Sequence, residues 1–383
     1  MPAPPETRWI VGCLRALARR ERPPVPPATL DWARVVAVVD AESMGPVMSL
    51  ACHQEGSAGI PSAARERWQR ERVEATARHL VMSAELGRLL KAFERASILT
   101  IPLKGPVLAE LLYPDPAVRP CSDLDLLIRP ADVTRTDGLL HELGYRRVAD
   151  AHTFEFDLAH DRATLFEGSS GVRVDLHWSP LSEPRYRWDE RAATVWPRVI
   201  RTRVGGHETW SLCPEDLVVY LAAHLAVHHG VAGLLWQYDL FLLVARWGAA
   251  LDWTAVTARA RRWRVRTAVY FALRTVEELF DAGVPETLLA ELEPPGVRAA
   301  ALKWLLGHRD HPQRRAAEHL IGLLLVDRAW DVVGAVRDAV FPSSDWLAAR
   351  YGGRSVLGRY VAHARRLGDV VAQTSAVFRS RRR

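Results

Sequence analysis

Between residues 97 and 180 the hydrophobic pattern of this 383-residue chain switches from a helical period to strand-like alternation, then reverts. That switch limits the possible folds more than any other feature. ILTIPL (98–103) reads as a short strand, Lys104–Gly105 as the turn after it, and PVLAELLY (106–113) as a short helix with Pro106 in its first turn. DLDLLI (123–128) is a second strand, and PADVTRTDGLLHELG a helix closed by Gly144. YRRV, TFEFDL, ATLFE and GVRVDLHW (171–178) read as four further extended segments. Strand–helix–strand–helix–strands predicts an α+β protein whose core, residues 97–180, is a small mixed sheet with helices on one face.

The flanks read as helical. Residues 1–96 hold a proline-rich break at 21–27, then a helix LDWARVVAVVDAESM that Thr29 can cap. After a Gly/Ser/Pro loop at 55–62 comes a long amphipathic helix over about 64–96, with Val73, Ala77, Leu80, Ala84 and Leu90 on its apolar side. From about 181 to 383 the chain reads as helical again, most clearly over 212–230, and finishes in a basic tail, RSRRR, read as a solvated end. Of the 14 tryptophans, the eleven at or after Trp178 read as packing residues rather than base-stacking platforms.

Composition excludes several function classes. Apolar residues make up 49% and charged residues 25%, which is globular and not disordered. The longest apolar stretches, such as LIGLLLV (320–326), are far too short to span a membrane, and MPAPPETR lacks a signal-peptide pattern. Cys13, Cys52, Cys121 and Cys213 form no CxxC pair, so a reducing cytoplasm is expected rather than a disulfide framework or zinc ribbon. The net charge of +6 is carried almost wholly by arginine spread through the chain, a weak argument for a nucleic-acid partner.

The chemistry lies in DLDLLI. In a strand, Asp123 and Asp125 point one way, and Leu124, Leu126 and Ile128 the other. Two carboxylates about 7 Å apart along a strand repel, and a divalent cation relieves that repulsion; hard oxygen ligands suit Mg²⁺. GVRVDLHW repeats the pattern, with Arg173, Asp175 and His177 on one face. If the two strands are neighbours, Asp175 completes a three-carboxylate cluster able to hold two metal ions for in-line attack at phosphorus.

LKGPVLAELLY, RPCSDLDLLI and VDLHW together resemble the uncharacterised nucleotidyltransferase family of the polymerase-beta-like superfamily. The resemblance runs over about residues 30–245 and takes in CPEDLVVYLAAHLAVHH and LWQYDLFLL. It implies a nucleotidyltransferase fold and transfer of a nucleoside monophosphate from an NTP, ATP above others, to an acceptor with Mg²⁺. Asp123, Asp125 and Asp175 are then the catalytic and metal-holding residues. The turn here is Lys104–Gly105 where the superfamily has Gly followed by Gly or Ser, and 17 residues separate Gly105 from Asp123.

Several neighbours carry two readings each. Gly105 can let a phosphate approach the backbone, and Lys104 can add a point charge there or be a solvated turn residue. Ser122 can contact phosphate or merely start the strand, and Arg119 can clamp phosphate or pair with a carboxylate. Arg173 and His177 offer further contacts to phosphate or base. His224 and His228, at i and i+4, can bind zinc, line an acceptor pocket or sit in a helix interface. Asp239, among apolar residues, needs a buried partner, for which His224 or His228 is a candidate.

The expected acceptor is a small molecule or a peptide, with nucleic acid possible and a membrane excluded. The alternatives are a protein-modifying AMPylator, or a non-catalytic nucleotide-binding regulator or toxin–antitoxin component. Oligomeric state is not legible from the residues.

Overall fold

The computed structural model describes residues 4–52, 59–148, 163–181, 194–307, most of 321–351 and 355–379. Four helices come first: α1 (Pro5–Arg19), α2 (Trp32–Ala41), α3 (Gly45–Ala51) and α4 (Ser62–Arg95). The helix expected over LDWARVVAVVDAESM is shorter, ending at Ala41, and the chain turns at Ser43, whose φ is +55°, before α3 begins at Gly45. Asp31, not Thr29, caps α2 by accepting from the Arg34 amide.

The apolar side expected for α4 is mostly wrong. Val73 and Leu80 are exposed, while Trp68, Met82, Leu86, Leu89 and Phe93 are buried on the opposite side of the helix. The aromatic and long aliphatic side chains remove more apolar area from water than the alanine-rich side can, so they set the rotation of the helix. Leu90, near the boundary of the two sides, is buried.

β1 (Thr100–Pro102), α5 (Pro106–Leu112), β2 (Asp123–Ile128), α6 (Val133–Glu142), β3 (Tyr145–Arg147), β4 (Ala163–Gly168) and β5 (Arg173–His177) follow. Among the described residues the five strands form one mixed sheet, ordered β1-β2-β5-β4-β3. β2 and β5 pair in parallel at its centre, with Asp125 opposite Asp175 and Asp123 opposite Arg173; β1, β4 and β3 join antiparallel. Leu124, Leu126, Val174, Leu176 and Phe166 are buried in the core, and the His141 ring of α6 meets Phe166 edge-on at 5.9 Å. The sheet and its helical flank are therefore as expected; TFEFDL lies outside the described residues.

Gly105 has φ +65°, a conformation that L side chains rarely adopt, and a Cβ there would stand 2.8 Å from Cys121 Sγ and 3.3 Å from the Asp123 carbonyl oxygen. It lets the Lys104 turn close tightly on the start of β2. Gly105→Ala is expected to cost about 1–3 kcal/mol, read as a lowered melting temperature.

Residues 200–211 correct the expectation of unbroken helix after 181. β6 (Ile200–Val204) and β7 (His207–Ser211) form a hairpin turned at Gly205 and Gly206, both with positive φ. IRTRV alternates β-branched residues with arginines, and a two-glycine turn suits the twist of a strand pair. Among the described residues the elements that follow are helices: α7 (Pro214–His229), α8 (Leu234–Trp247), α9 (Trp253–Arg262), α10 (Arg266–Phe280), α11 (Glu286–Leu292), α12 (Gly296–Gly307), α13 (Ser344–Tyr351) and α14 (Val356–Arg379). The tail expected as solvated lies, beyond Arg379, outside the described residues. Among the described residues, no helix is long and apolar enough to cross a membrane.

The first and last helical stretches share a core. Tyr238 of α8 donates to the Leu14 carbonyl of α1, and Arg19 reaches Asp281 just after α10. The DxD face of the sheet is met by α7, which brings Tyr220 and His224 toward Lys104.

Candidate active site

The strand register brings Asp125 and Asp175 together, while Asp123 stands opposite Arg173 and outside the converging group. Asp125 and Asp175 are cross-strand partners on β2 and β5, and Asp123 lies two residues before Asp125 on the same face. His177, two residues beyond Asp175, places Nε2 3.2 Å from Asp125 Oδ1 and 3.1 Å from Asp175 Oδ2. Asp125, Asp175 and His177 each offer a ligand atom within 4.8 Å of the others, and among the described residues they are the one such group.

Burial and neighbouring charge divide the carboxylates. Asp125 is 4% exposed. Burial alone would raise its pKa, but Lys104 and His177 outweigh burial and hold it well below the usual carboxylate range. Asp123 moves the other way, raised by burial and by the charge of Asp125. Asp175 is more open than Asp125, at 31% side-chain exposure.

His177 is pushed up to about 9: burial lowers it, and the carboxylates Asp175 and Asp125 more than reverse that. A histidine raised in the folded state contributes stability that is fully present below its ordinary pKa of about 6.5 and is lost as pH rises through its folded value. With divalent ions removed by EDTA, the melting temperature is therefore expected to fall between pH 7 and pH 10. His177→Gln should remove much of that slope, and an unchanged slope in the variant would contradict the pairing.

Lys104 is not a solvated turn residue. Its Nζ lies 2.9 Å from Asp125 Oδ1 and 3.3 Å from His224 Nε2. His224 is buried and kept neutral, its pKa well lowered by burial and by the positive charge of Lys104, His228 and His229. It can therefore accept from the ammonium. His224 and His228 have ring centroids 4.8 Å apart, and His224 and His229 4.9 Å. This cluster joins no group fit to hold a metal among the described residues, so the zinc reading has no support here.

Other expected contacts fall elsewhere. Arg119 is turned away from the acidic cluster. It pairs with Asp239 through Nε–Oδ1 at 2.9 Å and Nη2–Oδ2 at 2.7 Å, and Tyr113 donates to the same carboxylate at 2.7 Å. Of the two partners open to Arg119 it has the carboxylate, and Asp239 has an arginine and a tyrosine where a histidine was expected. Both members are buried, and the pairing keeps the Arg119 pKa raised. Ser122 Oγ donates to Asp123 Oδ1 at 3.1 Å. Arg173 is exposed, with Nε 3.7 Å from Glu167 Oε1.

A cavity of about 640 Å³ adjoins the start of β2. Its walls include Asp40, Glu71, Glu74, Ser122 and Trp236, with Arg67 and Arg78 also on the lining. Arg67 is shared between Asp40 at 2.9 Å and Glu71 at 3.3 Å. The sequence reading missed this cavity; its walls come from segments far apart in the chain.

A sequence profile described as Uncharacterised nucleotidyltransferase matches residues 28–281, well over half of the chain. The chain belongs to that family. The match includes β1–β5, the acidic cluster and the helices that cover it, and reaches past 245 to take in α9 and α10. As a member of this nucleotidyltransferase family the protein is an enzyme of nucleotidyl transfer, with an NTP as substrate. None of the curated proteins compared matches the chain.

Proposed function

We propose that this nucleotidyltransferase moves a nucleoside monophosphate from ATP to a hydroxyl or similar group on a small molecule or peptide, with Mg²⁺ and release of pyrophosphate. The observation that carries the proposal is the alignment of Asp125 with Asp175 across the central parallel strands, with Asp123 on the same face. The donor set fits Mg²⁺: Asp125 and Asp175 each offer a carboxylate oxygen within 4.8 Å of the other and of a His177 nitrogen, and Asp123 stands outside that group on the same strand face. Asp123, Asp125 and Asp175 would hold the ion, which when bound supplies charge neutralisation for phosphate oxygens and a lowered acceptor pKa.

The remaining work falls to side chains. Asp175, a partly open carboxylate, faces the incoming acceptor and takes its proton. Asp125, held ionised by Lys104 and His177, stays an acceptor throughout. His177, protonated at neutral pH, fixes the spacing of Asp125 and Asp175 by contact with both. Lys104 and the exposed Arg173 supply cationic contacts for the triphosphate. Gly105 lets the Lys104 turn approach β2 closely. Ser122 orients Asp123.

The adjoining cavity supports the small-molecule or peptide acceptor. Its size is ordinary for such a ligand. Its walls carry the carboxylates Asp40, Glu42, Glu71 and Glu74 against the two guanidiniums of Arg67 and Arg78, a surplus of negative charge that disfavours a polyanion such as RNA.

The test is label transfer from α-labelled NTPs in the presence of Mg²⁺ and cell extract. Label should pass to an acceptor with wild-type protein and not with Asp125→Ala, and equal transfer by both overturns the assignment.

A further inference from the structure

We infer that Lys104 supplies the second positive charge of this site, so that the chain binds one divalent ion where three carboxylates could otherwise hold two. The inference rests on the proposed nucleotidyl transfer and refines its cofactor requirement.

The argument begins with the lone pairs of one oxygen. A carboxylate oxygen accepts about two hydrogen bonds. Two nitrogens already face Asp125 Oδ1, Lys104 Nζ at 2.9 Å and His177 Nε2 at 3.2 Å, the latter shared with Asp175 Oδ2 at 3.1 Å. Asp125 is the middle carboxylate of the cluster, preceded by Asp123 on its own strand and faced by Asp175 across the ladder. A site for two ions needs the middle carboxylate to give an oxygen to each. With Oδ1 filled, only Oδ2 of Asp125 is left for metal, in place of one oxygen for each of two ions.

The lysine is built into this position. The Leu103 amide donates to the Asp125 carbonyl at 2.9 Å, which ties the residue before Lys104 to β2. Gly105, at positive φ and packed on Cys121 and the Asp123 carbonyl, turns the chain immediately after it. The side chain between these anchors is largely buried at 17% exposure. A buried ammonium is costly unless it is paired. Its two polar contacts are Asp125 and the neutral ring of His224, and only Asp125 brings an opposite charge. Lys104 thus stands on the central carboxylate with the sign of a metal ion and a shorter reach.

Ion counting tests this directly. Mn²⁺ is titrated into the full-length chain in the presence of a non-hydrolysable ATP analogue. Free Mn²⁺ is followed by electron paramagnetic resonance, with analogue alone as the control. The expected result is one Mn²⁺ per chain for wild type and for Lys104→Arg, and two for Lys104→Met, whose side chain leaves Asp125 Oδ1 open. Two ions in the wild type overturn the inference and leave the proposed transfer standing. One ion in both wild type and Lys104→Met also overturns it. Binding of neither ion nor analogue removes the proposed function itself, and this inference with it. If Lys104→Met does not fold, the wild-type count decides the question.

Discussion

Asp175→Asn is expected to lower nucleotidyl transfer by about 10²–10⁴-fold while leaving the melting temperature nearly unchanged. The two halves of that result have separate causes. Asp175 is far more solvent-open than Asp125, and its neighbours Asp125 and Asp123 carry the same charge. Removing one negative charge from such a cluster relieves repulsion about as much as it weakens the contact with His177, so stability hardly moves. In the transfer step the same carboxylate holds the ion and receives the acceptor proton, and an amide does neither well. A loss of tenfold corresponds to about 1.4 kcal/mol of barrier, so the expected range is readily measured in a label-transfer assay. Activity within threefold of wild type would mean that the reaction centre lies elsewhere. An equal loss of folding would mean that Asp175 is structural.

Arg119→Ala has the opposite signature: a large loss of stability, about 3–5 kcal/mol, read by denaturant unfolding. The replacement leaves Asp239, 1% exposed, without its bidentate guanidinium and with only the Tyr113 hydroxyl as a partner. Breaking a buried ion pair from one side costs far more than the pair is worth, because the remaining charge has neither water nor counter-ion. A double replacement, Arg119→Met with Asp239→Leu, should recover much of the loss, since nothing charged is then left buried. If Arg119→Ala proves as stable as wild type, the pair is not buried as described. The pair joins the loop before β2 to α8 in the C-terminal helices. Its loss should therefore also loosen the loop that leads into Ser122 and Asp123. That makes Arg119 an architectural residue of the site, without a place for it on phosphate.

Most of the acidic cluster was readable because strand periodicity is rigid. Alternation puts Asp123 and Asp125 on one face whatever the rest of the chain does, and likewise Asp175 and His177. Helical faces were less legible. The alanine-rich side of α4 scores as apolar, but Trp68, Met82 and Phe93 lie on its other side and bury more area. The hairpin at 200–211 was overlooked because its two strands are short and polar and sit between stretches of strong helical character.

Partner choice is where local pattern ran out. A buried Asp239 needed a partner, and the sequence held the candidates His228 and His224 eleven and fifteen residues earlier on the preceding helix. The fold instead delivered Arg119 from 120 residues earlier. The same holds for Lys104, whose side chain could lie in water or on a carboxylate, and which packing placed on Asp125.

The amino-acid sequence by itself determined the family, the order of elements from β1 to β5 and the common face of each acidic pair, because these depend on periodicity and short-range backbone geometry. Only the tertiary structure decided that β2 and β5 are parallel neighbours in register, that Lys104 and His177 share one oxygen of Asp125, and that Arg119 belongs to Asp239. Those outcomes depend on which distant charges are buried together, and the cost of burying a charge is settled only once the whole chain has excluded water around it.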